Sequence, residues 1–136
     1  MTKILDFMDR LLDEMDTWNL DLPLKAYSHN TDESIVITSM PGGRTMSEDM
    51  NGTKDKRFTY FCEIKVNNNK IPIAEQLLQS IALNLDNLID VPSQNKSYEF
   101  IDIVITNEPY HTASTDDGKV YFRMSFQVEL TILGGN

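Results

Sequence analysis

The stretch VYFRMSFQVELTI, residues 120–132, alternates apolar and polar side chains with a period of two. Successive side chains of a β-strand point to opposite faces, so the stretch predicts a long strand with one buried face. The opposite face is wet or lies at an interface. The preceding residues Asp116, Asp117 and Gly118 have the chemistry of a turn and predict its start. The predicted buried positions are Val120, Phe122, Met124, Phe126, Val128, Leu130 and Ile132.

The same alternation predicts other strands nearer the start of the chain. Residues 57–66 place aromatic and β-branched side chains on one face and polar ones on the other. Residues 100–107 and 34–39 are rich in isoleucine and valine, which favour strands. Residues 24–28 form a weaker strand candidate.

Two segments have helical spacing instead, with apolar residues three and four positions apart. The first runs from Ile4 to Trp18 and ends near Asn19, and its other side carries aspartates. The second begins at Pro72, which suits the first turn of a helix, and ends at Val91-Pro92. Each segment predicts an amphipathic helix with one buried stripe.

The predicted order is therefore helix, three strands, helix, two strands. An α+β fold satisfies it, with one antiparallel or mixed sheet of four to five strands and both helices packed on one face. We expect a single domain over residues 1–136, since no linker or repeat divides the chain. A long polar loop is expected at about residues 40–56, where glycines and mixed charges replace the apolar pattern.

The formal charge of −9 argues against a protein that binds nucleic acid through a basic groove. The single cysteine excludes an intramolecular disulfide, and no apolar run approaches the ~20 residues that span a bilayer. These features predict a protein that folds in a reducing cytosol and does not enter a membrane.

Residues that carry catalytic or metal chemistry are scarce and scattered. His29, Cys62 and His111 fall in separate elements, so no metal site is expected, and Cys62 shares the apolar face of its strand. The two histidines are interpreted as surface residues. We expect no cofactor and no enzymatic activity, because no set of residues converges on catalytic roles.

Several motifs together carry a resemblance to a known family. They are SIVITSMPGG (34–43), GTKDKRFTYF (52–61), VPSQNKSYEF (91–100) with IDIVITNEPY (101–110), and YFRMSFQVELTIL (121–133). The chain resembles, over nearly its whole length, the small minor capsid proteins of long-tailed bacteriophages of Gram-positive bacteria. In element order it also resembles phage tail terminator proteins, which form a hexameric ring on the finished tail tube.

The resemblance implies a virion protein of the tail or neck, made in the cytoplasm of the bacterial host. Its implied partners are further copies of itself in a ring, the tail tube protein and the head–tail connector. DNA would pass nearby without specific binding, and an acidic wall would keep it from sticking. The first helix and the polar face of the last strand, which includes Glu129, are both candidates for that wall.

The resemblance also gives the loop at 40–56 a role, since a loop that orders on contact can reach a neighbouring subunit. We hypothesise that its charged residues contact neighbouring subunits or the tube. These residues are Arg44, Glu48, Asp49, Lys54, Lys56 and Arg57. The alternative is a loop that is merely mobile.

Two other functions remain open from the sequence. One is another neck or head-completion protein of similar fold. The other, from a different class, is a cytosolic α+β domain that binds a small molecule or acts as an enzyme.

Overall fold

The computed structural model describes residues 5–29, 32–40, 44–48 and 53–133, with the side chains of residues 44 and 46–48 left out. The helices are α1 (Phe7–Asp16) and α2 (Ile71–Asp86). The strands are β1 (Leu24–Ala26), β2 (Ser34–Ser39), β3 (Arg44–Glu48), β4 (Lys54–Asn67), β5 (Tyr98–Ser114) and β6 (Lys119–Ile132).

All six described strands form one mixed sheet. Its main path runs β1-β2-β4-β6-β5, and β3 lies off this path, paired with β4. β1 is parallel to β2, and the other pairs are antiparallel. β4 and β6 pair along their whole length, from Lys54 opposite Ile132 to Asn67 opposite Lys119, so they form the centre of the sheet.

Both helices pack on one face of this sheet and share a single hydrophobic core. α1 contributes Phe7, Leu11 and Met15, which are fully buried. α2 contributes a stripe that recurs at helical spacing, consisting of Ala74, Leu78, Ile81, Ala82 and Leu85. Alternate residues of β2, β4 and β6 complete the core. The opposite face of the sheet carries no helix among the described residues, and we call it the open face.

The start of α1 is attached to the segment that leads into β5. The Asp6 carboxylate accepts hydrogen bonds from the Ser93 hydroxyl at 2.7 Å, the Ser97 hydroxyl at 3.0 Å and the Gln94 amide at 3.0 Å. Burial works against ionisation of Asp6, but these bonds outweigh it and lower the pKa of the carboxyl below its ordinary value. A charged Asp6 therefore fixes the start of α1 against residues 93–97, which precede β5.

The structure confirms the predicted α+β class, with a mixed sheet and both helices on one face. It corrects the expected loop at 40–56, because residues 44–48 are strand β3 and residues 54–56 begin β4. Four strands, not three, therefore lie between the helices. β3 lacks alternating apolar side chains and is held by backbone pairing to β4, so the hydrophobic pattern gave no sign of it. Residues 41–43 and 49–52 of the expected loop lie outside the described residues.

Candidate interaction surfaces

The residues expected to contact neighbours lie in a hairpin made of β3 and the first residues of β4. Arg44 and Glu48 are the first and last residues of β3. Lys54, Lys56 and Arg57 belong to β4, and Asp49 lies outside the described residues. Because side chains alternate across a strand, Lys54 and Lys56 lie on the helix side of the sheet, whereas Arg57 lies on the open face. Of the three β4 cations that were predicted to make contacts, the structure thus brings two together and separates the third from them.

The hairpin carries more positive than negative charge. Arg57 Nη2 donates to Glu129 Oε1 at 3.2 Å, and the Lys56 ammonium lies 5.4 Å from the centroid of the Phe58 ring. The pairing register places Arg44 directly opposite Arg57. Residues 44–57 contain four basic residues (Arg44, Lys54, Lys56, Arg57) and three acidic ones (Glu48, Asp49, Asp55). A surplus of one positive charge stands out in a chain whose net charge is −9.

A second surface lies at the opposite edge of the sheet, where α2 runs beside β5. A groove of about 340 Å³ separates them, with Ala82, Leu83, Val104 and Ile105 as its apolar lining and Asp86 and Glu108 as acidic members. We call it the α2–β5 groove. Leu83 is 62% exposed, so water covers apolar surface here. Exposed apolar surface with a polar rim is typical of an interaction site.

This groove lies in an acidic region of the chain. Residues 71–118 hold eight acidic residues (Glu75, Asp86, Asp90, Glu99, Asp102, Glu108, Asp116, Asp117) and one basic residue, Lys96. α2 also ends on Asp86 and has no basic residue in its last turn. A helix C-terminus carries a partial negative charge, so an acidic residue there is unfavourable within the monomer.

A polar network crosses the open face of the sheet. His29 Nε2 donates to the Glu63 carboxylate at 3.0 Å, and His29 Nδ1 lies 2.5 Å from the Ser34 hydroxyl. Arg123 donates to the other Glu63 oxygen at 2.8 Å, and its guanidinium lies 3.9 Å from the centroid of the Phe61 ring. Burial disfavours the charged form of Glu63, but the bonds from His29 and Arg123 outweigh it and lower the pKa of this carboxyl.

The serine, histidine and carboxylate of this network also occur together in hydrolytic triads. Here the Ser34 side chain is fully buried, so its hydroxyl cannot reach a substrate. The Glu63 carboxylate is shared between His29 and Arg123. These bonds connect β2, β4 and β6 and hold His29 against the open face of the sheet.

The histidine and cysteine predictions have different outcomes. His29 was interpreted as a surface residue, but its side chain is only 12% exposed and both ring nitrogens have partners. No sequence pattern indicated this, because Glu63 and Arg123 meet only through the register of β4 and β6. His111 is exposed, and Cys62 is fully buried, which raises the pKa of its thiol.

Within the described part of the chain, no three histidine, cysteine, aspartate or glutamate side chains are grouped so as to hold a metal ion. None of the helices that the structure describes is long and apolar enough to cross a membrane.

Comparison with known proteins identifies a similar fold but no function. No family model matches this chain, and no curated protein matches it. One solved structure, whose name states no function, is similar to this protein over 95% of this chain and 93% of its own length. Its TM-score is 0.59 and its sequence identity is 16%, so the similarity shows a shared fold alone.

Proposed function

We propose that this chain is a structural virion protein at the head–tail junction of a long-tailed bacteriophage. In this role it is a tail terminator, which forms a ring on the tail tube, stops its polymerisation and joins it to the head connector. The observation that carries the proposal is the edge strand β5, whose outer side pairs with no other strand among the described residues. It is 17 residues long and lies beside a groove that exposes Leu83.

A long sheet edge presents unpaired backbone groups, and proteins normally shorten, bend or cover such an edge. β5 is interrupted by four register shifts, which limit indiscriminate pairing. Between two of them, residues 102–105 keep regular pairing with β6 and lie beside the α2–β5 groove. One restricted stretch of edge is thus available to a specific partner, as a subunit in an assembly requires.

The resemblance of the sequence motifs supplies the biological setting, and the described site chemistry supports an assembly role over catalysis. The one serine–histidine–carboxylate arrangement among the described residues has a buried serine. We therefore propose no enzymatic activity and no cofactor. The proposed partners are other copies of this chain, the tail tube protein and the head–tail connector.

The proposal also includes an acidic wall beside the DNA path, which repels a polyanion. The open face of β6 suits this poorly, because Glu129 there is paired with Arg57 and Arg123 lies on the same face. α1 suits it better, since Asp9 and Asp16 are exposed along it, and only Asp13 among its exposed aspartates pairs with Arg10, at 2.9 Å. We therefore propose that α1 lines the lumen.

Gold-labelled antibody against this chain, applied to purified particles of the phage that carries the gene, tests the location. The proposal expects label at the head-proximal end of the tail. Particles that lack the chain altogether would remove both the terminator and the other neck-protein roles. The enzyme or binding-domain alternative would then be the one to pursue.

A further inference from the structure

We propose that the β3–β4 hairpin of one copy docks into the α2–β5 groove of the next copy. This inference rests on the proposed ring and names the contact that closes it. The occupant of the groove is thus a second copy of this chain, and the contact is head-to-tail.

Charge complementarity identifies the occupant. The groove displays Asp86 and Glu108, within a 48-residue region (71–118) that has eight acidic residues and one basic residue. The hairpin offers Lys54 and Lys56 on the helix side of its strand, and the register sets one acidic residue, Glu48, opposite Lys54. Potentials of opposite sign steer two surfaces together and exclude wrong pairings.

The chemistry of lysine also fits the apolar part of the groove. A lysine side chain can lay its four-carbon stem on apolar surface while its ammonium reaches an acid at the rim. Leu83 supplies exposed apolar surface, and the two groove carboxylates supply the rim. Burial of this exposed side chain adds a hydrophobic contribution to the contact.

The position of the two surfaces decides the symmetry. β3 pairs with β4 on one side, and β5 is the last described strand on the other, with β4 and β6 between them. A two-fold contact of groove with groove would set acid against acid, and hairpin against hairpin would set cation against cation. A head-to-tail contact pairs opposite charges, and a head-to-tail contact whose rotation closes produces a ring.

Asp86 provides independent support. An acidic residue at a helix C-terminus opposes the helix dipole, and α2 has no cation in its last turn to compensate. A residue that is unfavourable within the isolated chain is expected where that residue serves an interaction. A lysine from a neighbouring copy would supply the missing cation at this position.

Charge exchange between the two surfaces tests the contact. Phage that lack the gene are grown in cells that supply a variant from a plasmid. The infectious titre and the amount of this chain in purified particles are then measured. One variant reverses the hairpin (Lys54→Glu with Lys56→Glu), one reverses the groove (Asp86→Lys with Glu108→Lys), and one carries all four changes. A matched control, Glu75→Lys with Asp116→Lys, makes the same charge change outside the groove.

We expect each single-surface variant to lose incorporation and titre, because like charges then face each other. The fourfold variant should regain both, and so should the two single-surface variants supplied together, since their surfaces are complementary. The control should match the wild type. Circular dichroism of each purified variant checks that the chain still folds.

Three results would overturn the contact: single-surface variants that work as well as the wild type, a folded fourfold variant that stays inactive, or a control that fails as they do. Each of these leaves the proposed function intact as long as the wild-type chain enters particles. A wild-type chain that never enters particles overturns the proposed function, and this contact falls with it.

Discussion

Glu63 shows how a single residue stabilises the open face. It lies at the centre of β4 and accepts hydrogen bonds from His29 and Arg123, which reach it from opposite sides. Its side chain is 12% exposed, so the charge depends on these donors rather than on water. The lowered pKa of Glu63 means that the folded protein holds this carboxylate ionised at a pH where the unfolded chain begins to protonate it.

Glu63→Gln tests this linkage. At pH 7 the substitution should lower the free energy of unfolding by about 1–3 kcal/mol, because it weakens hydrogen bonds made to a charged group. The stabilisation from Glu63 is present above its ordinary value of 4.5 and is lost as the pH falls through its lower folded pKa. The difference between wild type and variant should therefore shrink on acidification. Thermal unfolding from neutral pH to about pH 3 measures it, and a constant difference would contradict the account.

At the scale of elements, α2 has an unfavourable end that we attribute to assembly. Asp86→Asn removes a charge that opposes the helix dipole, so the isolated chain should become more stable by about 0.3–1 kcal/mol at low salt. The same change should weaken incorporation into particles, because it removes one groove carboxylate. Chemical denaturation measures stability, and the titre of complemented phage measures assembly. A variant that is less stable, or that assembles normally, would argue against this role of Asp86.

The apolar lining of the α2–β5 groove gives a second test at this scale. Leu83→Asp should change folding little, because this side chain is largely exposed, but it should reduce assembly. Ile73→Asp is the matched control, since Ile73 is 56% exposed on the same helix but does not line the groove. An equal loss of assembly for Ile73→Asp would show that the loss does not depend on the groove.

The elements also show which features a sequence reveals. β4 and β6 were predicted because a buried face imposes a period of two, and the stripes of α1 and α2 were predicted for the corresponding helical reason. β3 was missed, because its five residues do not alternate apolar and polar side chains and its strand pairs with β4 through the backbone. The network of His29, Glu63 and Arg123 was missed for a different reason, since strand register alone brings these residues together.

At the scale of the whole molecule, the sheet has two different edges. One edge carries the β3–β4 hairpin. The sequence analysis predicted that its charged residues make contacts, but it placed them in a loop. The other edge carries the acidic α2–β5 groove, which no motif predicted because it forms only when the helix and the following strand lie side by side in the fold. Opposite charges on opposite edges suit a chain that repeats head to tail.

Tail length after disruption of this gene, measured by negative-stain electron microscopy in the phage that carries it, tests the central claim most directly. A terminator sets where the tube stops, so the account predicts overlong tails without heads, restored to normal length when the wild-type chain is supplied. Tails of normal length that fail to join heads would contradict the terminator role and indicate another neck protein. Intact and infectious particles would contradict any structural role in the virion.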